Sequence, residues 1–426
     1  MKLPKRYKWI GAAFALGASA LSATDRSDKQ IANADFKELV EEMTPLAGTN
    51  PAHWRVVWSG DTSTSATISW STAENGKKHV VHYGTKNVGT DTGKYEFHAE
   101  APKNGPYSIS EKEAKDTKTA FFHHCPLTGL TPGTNYYFVL ESDGKFSKPL
   151  YFKTAPKSGD FKLLTGGDSR SGIASRCLMN LRMAKEFSEK PEILALVHGG
   201  DYIVSGHSWR QWRSWLSNHE LTTLSDGRVL PVIPTRGNHD GGPLFFEIFN
   251  LEKNRADLSF WHSIQVTDDV NIVTLDTNYS AKGAQEEWLE KQLSKLRPKS
   301  RWLLTNYHRP LYPAVKSPAG QTSVFVPLFE KYNVDLSLES DGHCIKRTVP
   351  IRNGKEDPTG IVYVGEGGLG VGQRTPKSDL WYLKGGYAGR GHHVMQLSFS
   401  KDALEVETIM LEGNTIDKVT LKPRSH

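Results

Sequence analysis

Hydrophobic and polar positions alternate along the early part of the chain, from residue 53 to residue 156. In "HWRVVWSGDTSTSATISWST" large apolar side chains recur at every second position, and "KHVVHYGT" and "SKPLYFKTAP" repeat this spacing further along. A period of two residues places alternate side chains on the same face of a strand. The pattern therefore predicts several β-strands in this region.

One segment between these strands indicates how they are arranged. The run "LTPGTNY", which ends at Tyr136, resembles the tyrosine corner of immunoglobulin-like and fibronectin type III sandwiches, in which the phenol ties a loop to the following strand. We therefore expect a fibronectin type III-like β-sandwich over residues 53–156. Its role is open, since a docking or substrate-shaping module and a simple spacer both fit the pattern.

A different pattern of apolar and polar positions begins at residue 157 and continues to residue 426. Short apolar runs such as "FKLLTGG", "EILALVHGG" and "RWLLTNYH" each end in a polar loop. Segments with helical spacing, "ASRCLMNLRMAKEFSEK" and "GAQEEWLEKQLSK", lie between them. This alternation predicts a layered α/β domain, whose functional groups gather at the carboxyl ends of its strands.

The first 52 residues comprise a predicted export signal and a short segment that follows it. Residues 1–23 combine a basic start, a short apolar stretch and small residues, which is the layout of a secretory signal peptide cleaved after Ala20 or Ala23. The apolar part is short for a lasting anchor, and a retained membrane tether is the alternative. Residues 24–52 predict a polar lead and one short helix. We expect a secreted, periplasmic or cell-surface protein with no transmembrane segment after signal removal.

Charge and cysteine content narrow the possible partners. The formal net charge is +6, and residues 1–23 carry four basic and no acidic residues, so about +2 remains without them. No Lys/Arg block suggests a nucleic-acid platform.

Cys125, Cys177 and Cys344 form an odd set without a C-x-x-C spacing, which favours free or buried thiols, with one disulfide as the alternative.

Potential metal ligands stand at the ends of the predicted strands. They are Asp168, Asp201, Asn238, His239, Asp240, His308, Asp341 and His343. Each alone also fits a turn or a helix cap, but their recurrence at five strand ends favours a metal site. Carboxylates, imidazoles and an amide suit two divalent or trivalent ions. Two such ions, about 3.5–4 Å apart, clamp a phosphoryl group and activate water.

The segments that carry these residues also point to a family. "GGDSR", "GGDYIVSG", "GNHD", "NYHRP" and "SDGHCIKRT" resemble, in this order, the five sequence blocks of the calcineurin-like metallophosphoesterases. Within that superfamily the chain is most similar to the purple acid phosphatases, which also carry an N-terminal fibronectin-like domain. The resemblance covers about residues 53–400. It implies a four-layer αββα metallophosphoesterase domain over residues 157–426.

The resemblance also implies roles for individual residues. Asp168 and His343 would bind the first metal, Asp201 would bridge both metals, and Asn238, His308 and Asp341 would bind the second. The catalytic residues would be Asp201 and His239, the latter as leaving-group acid or charge stabiliser. Asn238, His239 and Arg170 would contact substrate. Two metal ions per chain are implied, with iron, zinc and manganese as the alternatives.

Three features depart from the family pattern. The purple enzymes have a tyrosine ligand three residues after the bridging aspartate, where this chain has Val204, so we expect no phenolate-to-iron colour and no selection for ferric iron. The last block usually reads Gly-His-x-His, and Ser340 and Asp341 replace its first two residues here. The extra histidines after the fourth block are absent from "HRPLYPAVKSPAGQT". The general acid and part of the substrate contacts therefore stay open.

These observations lead to one expected function and two alternatives. We expect a secreted, dinuclear phosphoesterase in which a metal-bound hydroxide attacks a small phosphate monoester. A phosphodiesterase or nucleotidase with the same metals is the first alternative. An inactive surface-binding protein, in which the sandwich carries the function, is the second. Substrate, native metals, pH optimum and oligomeric state are not determined by the sequence.

Overall fold

The structure is a computed structural model that describes residues 43–117, 119–254, 256 and 258–424. The predicted signal peptide lies outside these residues, as does the polar lead up to residue 42. Residues 43–51 form bends and a turn, so the part of the lead that is described contains no helix.

Strands dominate the described part of the chain. Twenty-four are present there: β1 Ala52–Val57, β2 Ala66–Thr72, β3 His79–Gly84, β4 Phe97–Glu100, β5 Lys103–Pro106, β6 Phe121–Leu127, β7 Asn135–Ser142, β8 Lys145–Phe146, β9 Leu150–Lys153, β10 Phe161–Gly166, β11 Ile193–His198, β12 Val232–Pro234, β13 His262–Gln265, β14 Val270–Thr274, β15 Trp302–Asn306, β16 Leu336–Glu339, β17 Ile345–Arg347, β18 Ile351–Arg352, β19 Lys355–Glu356, β20 Val362–Gly365, β21 Tyr387–Gly389, β22 His393–Phe399, β23 Leu404–Met410 and β24 Thr415–Leu421.

Six α-helices accompany the strands within the described residues. They are α1 Glu111–Thr117, α2 Ile173–Glu189, α3 Trp209–His219, α4 Leu244–Phe249, α5 Ala284–Leu296 and α6 Thr322–Lys331.

The first region is a β-sandwich. One layer has the strand order β1-β2-β6-β5, and the other has β4-β3-β7-β8 with β9 also paired to β7. Ile68 and Trp70 of the first layer pack with Phe138 of the second in one buried cluster. The Tyr136 hydroxyl accepts a hydrogen bond from the Thr131 N–H at 2.9 Å, as a tyrosine corner requires. The predicted sandwich is therefore confirmed.

The second region has two sheets with helices on their outer faces. Strands β10, β11 and β12 run parallel in one sheet, and β14, β15, β16 and β20 run parallel in the other. Leu163 and Ile272 pack between the sheets. Their neighbours pack against helices, Leu164 with residues of α2 and Val273 with residues of α5 and α6. This alternation within buried strands confirms the predicted αββα arrangement.

One connection was not predicted. Strand β1 of the sandwich pairs in parallel with β12, with Val57 opposite Val232, and the Trp58 N–H donates to the Val232 carbonyl at 3.0 Å. A single ten-stranded sheet, β24-β23-β22-β10-β11-β12-β1-β2-β6-β5, therefore runs through both regions. The proposed boundaries at residues 53, 156 and 157 stay a prediction.

Two further features bear on the sequence predictions. Cys125, Cys177 and Cys344 are free and buried, which agrees with the thiol interpretation. Among the described residues, none of the helices combines the length and apolar character needed to cross a bilayer.

Candidate metal centre

The carboxyl ends of four strands converge at one place. Asp168 follows β10 and Asp201 follows β11, while His308 and Asp341 follow β15 and β16 of the other sheet. One ligand-type atom from each of these four residues lies within 4.8 Å of the other three, and all four residues are buried. The two sheets therefore bring together side chains that are up to 173 positions apart.

Unusual backbone conformations accompany this convergence. Asp168, Asp201, Asp341 and His343 have φ angles of 60°, 58°, 67° and 59°. Residues other than glycine rarely adopt the left-handed region, and such conformations concentrate at functional sites. The strand ends turn sharply here, and each turn delivers a potential ligand to the same cavity.

His308 is oriented as a metal ligand would be. Its Nδ1 donates to the Gly199 carbonyl at 2.8 Å, which leaves the lone pair on Nε2. Nε2 lies 3.3 Å from Asp201 Oδ1 and 3.5 Å from Asp341 Oδ1. Burial lowers the pKa of His308, but the charges of Asp201 and Asp341 outweigh it and raise the pKa well above its ordinary value. The site thus favours a positive charge at this position.

Asp201 is held by its neighbour Asp240. The Asp240 carboxylate accepts hydrogen bonds from the N–H groups of Asp201 at 2.7 Å, Tyr202 at 2.9 Å and Gly237 at 2.8 Å. Burial and the charge of Asp201 raise the pKa of Asp240 to about 7, whereas the three donors favour its carboxylate form. Asp240 stood in the sequence pattern as a candidate ligand, but the structure gives it a supporting position.

The environment of Asp201 keeps its carboxyl ionised. Burial opposes ionisation, yet the adjacent His308 and Arg170 outweigh it and lower the pKa of Asp201 below its ordinary value. Gly237 lies so close that a Cβ there would overlap this carboxylate. Only glycine permits that approach.

Asp168, His343 and Asp341 form the other side of the cluster. His343 Nε2 lies 3.3 Å from Asp168 Oδ1, and the Asp341 N–H donates to Asp168 Oδ2 at 2.8 Å. The glycine-rich loop after β20 closes over this pair, since a Cβ on Gly367 would overlap Asp168 Oδ2. The Arg374 N–H also donates to the His343 carbonyl at 2.7 Å.

Asn238 and His239 lie in the loop after β12, whose backbone contacts the cluster. The His239 N–H donates to Asp201 Oδ1 at 2.9 Å. Its ring Nδ1 lies 2.7 Å from the Val204 carbonyl, an acceptor only, so Nδ1 carries the proton and Nε2 is the free nitrogen. His239 is half-buried and therefore accessible to a small molecule.

Arg170 lies inside the site rather than at its mouth. Its Nε donates to Asp201 Oδ2 at 3.1 Å, and its Nη2 lies 3.4 Å from His343 Nε2. The guanidinium is buried with the two side chains. Arg170, which the sequence predicted as a substrate contact, therefore touches two candidate ligands, Asp201 and His343.

The position of the family's tyrosine ligand carries no ligand atom in this chain. Val204 contributes its backbone carbonyl to His239. Tyr202 is fully buried in the hydrophobic core, where its ring stacks on His198 with centroids 3.8 Å apart and packs edge-on against Trp215. The structure therefore offers no phenol to the cluster from this segment.

Sequence reasoning missed two groups of residues around the centre. Lys316 Nζ lies 2.5 Å from Asp341 Oδ1. Only one signal in the sequence indicated this contact, namely that Lys316 lies in the loop after β15. Behind that loop, Lys346 forms ion pairs with Glu339 and Glu366 in full burial. Glu339 ends a strand as the ligands do, but nothing in the sequence separated its role from theirs.

Atoms without hydrogen-bond partners test whether metal ions fit the cluster. Asp168 Oδ1, Asn238 Oδ1 and His308 Nε2 are buried and form no hydrogen bond with any described residue. Other buried polar atoms of the described residues also lack a partner, so the fit rests mainly on the chemistry of the grouped donors. Oxygen and imidazole nitrogen atoms around a common cavity form a donor set suited to iron, zinc or manganese. The residues present therefore fit the predicted metal cofactor.

Comparisons with known proteins agree with this geometry. The sequence model described as the purple acid phosphatase N-terminal domain matches residues 51–154. The model of the calcineurin-like phosphoesterases matches residues 178–344. The two matches follow one another in the order of the two structural regions.

Individual relatives show the same organisation. The chain is 26% identical over 373 residues to purple acid phosphatase 21 of Arabidopsis thaliana, covering 81% of this chain and 76% of that protein. It is 23% identical to Fe(3+)-Zn(2+) purple acid phosphatase 12 of the same plant, covering 72% and 67%.

A solved structure provides a comparison of the fold alone. Purple acid phosphatase PPD1 from yellow lupin seeds matches with a TM-score of 0.71 at 18% identity, covering 88% of this chain and 74% of that one. Taken with the two matched sequence models and the carboxylate and imidazole cluster, these likenesses lead to one conclusion. The chain carries a purple acid phosphatase N-terminal domain followed by a calcineurin-like phosphoesterase domain, and is a metal-dependent phosphoric ester hydrolase.

Proposed function

We propose that this protein hydrolyses small phosphate monoesters at a centre that holds two metal ions. The observation that carries the proposal is the buried cluster of Asp168, Asp201, His308 and Asp341, whose ligand-type atoms lie within 4.8 Å of one another. In a hydrolase of this family such a cluster is the expected place of the chemistry.

The side chains divide into two sets around a shared carboxylate. Asp168 and His343, 3.3 Å apart, would hold one ion. His308 and Asp341, 3.5 Å apart, would hold the other together with Asn238, and Asp201 would be common to both. Metal ions bound there supply Lewis acidity that activates water and neutralises charge on the phosphoryl group.

His239 is the group that we propose as proton donor to the leaving oxygen. Its Nδ1 proton is committed to the Val204 carbonyl at 2.7 Å. The ring is therefore fixed in orientation, and Nε2 is the atom that can hold and transfer a proton. The backbone N–H of the same residue donates to Asp201 Oδ1, which ties the proton donor to the ligand cluster.

Arg170 would contribute a fixed positive charge to the bound ester. Its guanidinium is planar and permanently charged, and it donates to Asp201 from one edge. Charge that develops on phosphate oxygens is stabilised best by such preorganised donors in a water-poor site.

Val204 removes the family's tyrosine ligand without fixing which metals bind. Val204 provides no phenolate, so iron, zinc and manganese stay possible, and an iron-loaded protein should be nearly colourless. A strong visible charge-transfer band in the iron-loaded protein would contradict this assignment. We also propose export through residues 1–23, which a fusion of that segment to a reporter enzyme would test.

The proposed function is tested by measuring metal content and activity together. Purified protein is loaded with manganese, zinc or iron, and turnover is assayed on an aryl phosphate monoester and on the matching diester. We expect about two ions per chain and a preference for the monoester. A preference for the diester would favour the phosphodiesterase alternative, and the absence of stoichiometric metal would rule out the enzyme.

Asp201→Asn is the matching variant. Since removal of one donor to a transition-state oxyanion already costs about 10²–10³-fold in rate, loss of the shared carboxylate should cost at least about 10³-fold. The unfolding midpoint should stay close to that of the parent protein. Retained turnover in this variant would refute the shared role of Asp201.

A further inference from the structure

Lys316 occupies a place between the buried cluster and solvent. Its Nζ lies 2.5 Å from Asp341 Oδ1, and its side chain is 37% exposed whereas that of Asp341 is 6% exposed. The ammonium therefore reaches from the surface to a candidate metal ligand.

The loop that carries Lys316 is anchored from beneath. The N–H groups of Leu311 and Ala314 donate to Glu339 Oε1 at 2.7 Å and to Glu366 Oε1 at 2.8 Å. Both carboxylates are fully buried and paired with Lys346. Because buried carboxylates of this kind demand satisfied partners, they hold the loop backbone in one position two residues before Lys316.

Lys346 also contacts the same loop directly. Its Nζ donates to the Tyr312 carbonyl at 2.9 Å. Burial alone would lower the pKa of Lys346, but Glu339 and Glu366 outweigh it and raise the pKa above its ordinary value. Lys346 therefore keeps its positive charge, and its contacts with Tyr312, Glu339 and Glu366 preorganise the segment that presents Lys316.

A second loop places another cation on the same ligand. Arg374 Nη1 donates to the Asp341 carbonyl at 3.4 Å. The two loops are joined, since the Lys377 N–H donates to the Ala314 carbonyl at 2.9 Å and Lys377 Nζ donates to the Lys316 carbonyl at 3.1 Å. Lys316 is thus part of a built, cationic rim rather than a lone surface residue.

The ammonium retains the capacity to bind a further anion. It carries three N–H donors, and among the described residues Asp341 is its one hydrogen-bond acceptor. Two N–H donors of this partly exposed side chain are then available to a further acceptor. A phosphate monoester dianion, with three non-bridging oxygens, offers more acceptors and more charge than a diester monoanion.

We propose that Lys316 is a substrate-binding residue whose ammonium group donates hydrogen bonds to the non-bridging oxygens of a phosphate monoester at the centre. The inference rests on the proposed function and adds to it a reason for selecting monoesters. Lys316 touches substrate and is in that sense catalytic, whereas Glu339, Glu366 and Lys346 are positioning residues.

The test measures binding of inorganic phosphate to metal-loaded protein by titration calorimetry, independently of turnover. Lys316→Gln should weaken phosphate binding about tenfold or more, since a charge-assisted hydrogen bond is lost. Lys316→Arg should retain most of the affinity. Kinetically, Lys316→Gln should lower kcat/KM for the monoester more than for the diester.

Lys331→Gln is the matched control. Lys331 Nζ forms an equally short contact, 2.5 Å, with Glu290 on the outer helices, and its loss should change neither phosphate binding nor activity. Metal content is measured in every variant. Unchanged phosphate affinity in Lys316→Gln, or a loss of metal in its place, would overturn the inference. Failure of the parent protein to bind metal or to turn over any ester would instead overturn the proposed function.

Discussion

Two buried histidines, one in each region, differ in what their ring nitrogens contact. In the sandwich, His123 Nδ1 pairs with Asn104 Oδ1 and Nε2 with Thr72 Oγ1, both at 2.8 Å. At the centre, His308 has one such partner, Gly199, and its other nitrogen faces Asp201 and Asp341. Both rings are fully buried.

The surroundings shift the pKa values of the two imidazole rings in opposite directions. Burial, together with the neighbouring His79 stacked at 3.6 Å, lowers the pKa of His123 to about 2. The carboxylates around His308 raise its pKa in spite of burial. Burial of a histidine therefore says little about its function. A ring nitrogen that faces only carboxylates, as His308 Nε2 does, indicates a site for a cation.

His308→Ala tests the centre and should have the largest effect. Loss of a ligand should reduce kcat/KM by at least about 10³-fold, as for Asp201, and lower the metal content measured by elemental analysis. The unfolding free energy of the metal-free protein should also fall, because the buried Asp201 and Asp341 carboxylates lose their positively charged neighbour. An active variant with normal metal content would show that His308 is a packing residue like His123.

His239→Asn sharpens the assignment of the proton donor. We expect kcat to fall about 10²–10⁴-fold for an alkyl phosphate, whose leaving group needs a proton. The fall should be much smaller for a nitrophenyl phosphate, whose leaving group departs as an anion. Equal losses for both substrates would contradict proton donation by Nε2, and metal content serves as the control for an intact centre.

His123→Ala is the counterpart of the His308 variant in the sandwich. It should lower the unfolding free energy by about 2–4 kcal/mol, because a cavity forms and Asn104 and Thr72 lose their partner. Specific activity and metal content of the folded protein should match those of the parent. Urea denaturation measures the unfolding free energy. A loss of activity without a loss of stability would contradict the purely structural role of His123.

The pH dependence of stability gives a further test of the difference between the two histidines, with a modest change in each pH unit. Folded His123 stays neutral down to about pH 2, whereas the unfolded chain takes up its proton below about pH 6.5. The unfolded state therefore binds more protons in this window, and stability falls as the pH decreases from about 6.5. The contribution is at most about 1.4 kcal/mol per pH unit. Urea titrations of metal-free protein between pH 8 and 4 should show a flatter slope for His123→Gln than for the parent.

The fold was largely predictable because its signals are local. Alternation in "SATISWS" predicted β2, and Tyr136 predicted the corner that fixes the sandwich. Apolar runs followed by polar loops predicted β10, β11 and β15, because a strand buried on both faces must be apolar throughout. The parallel pairing of Val57 with Val232 was not predictable, since no local pattern encodes which strand edges meet.

The candidate site, like the fold, has one part that the sequence predicted and another that it could not predict. Residue type and strand-end position identified Asp168, Asp201, His308 and Asp341, because parallel strands bring their carboxyl ends to one edge. The sequence by itself therefore determined which side chains gather at the candidate centre and which family the chain resembles. Only the tertiary structure decided that Asp240 supports Asp201 and that Lys316 reaches Asp341. Both depend on the distance and direction between side chains on separate loops, and these are set by the packing of the two sheets rather than by any spacing along the chain.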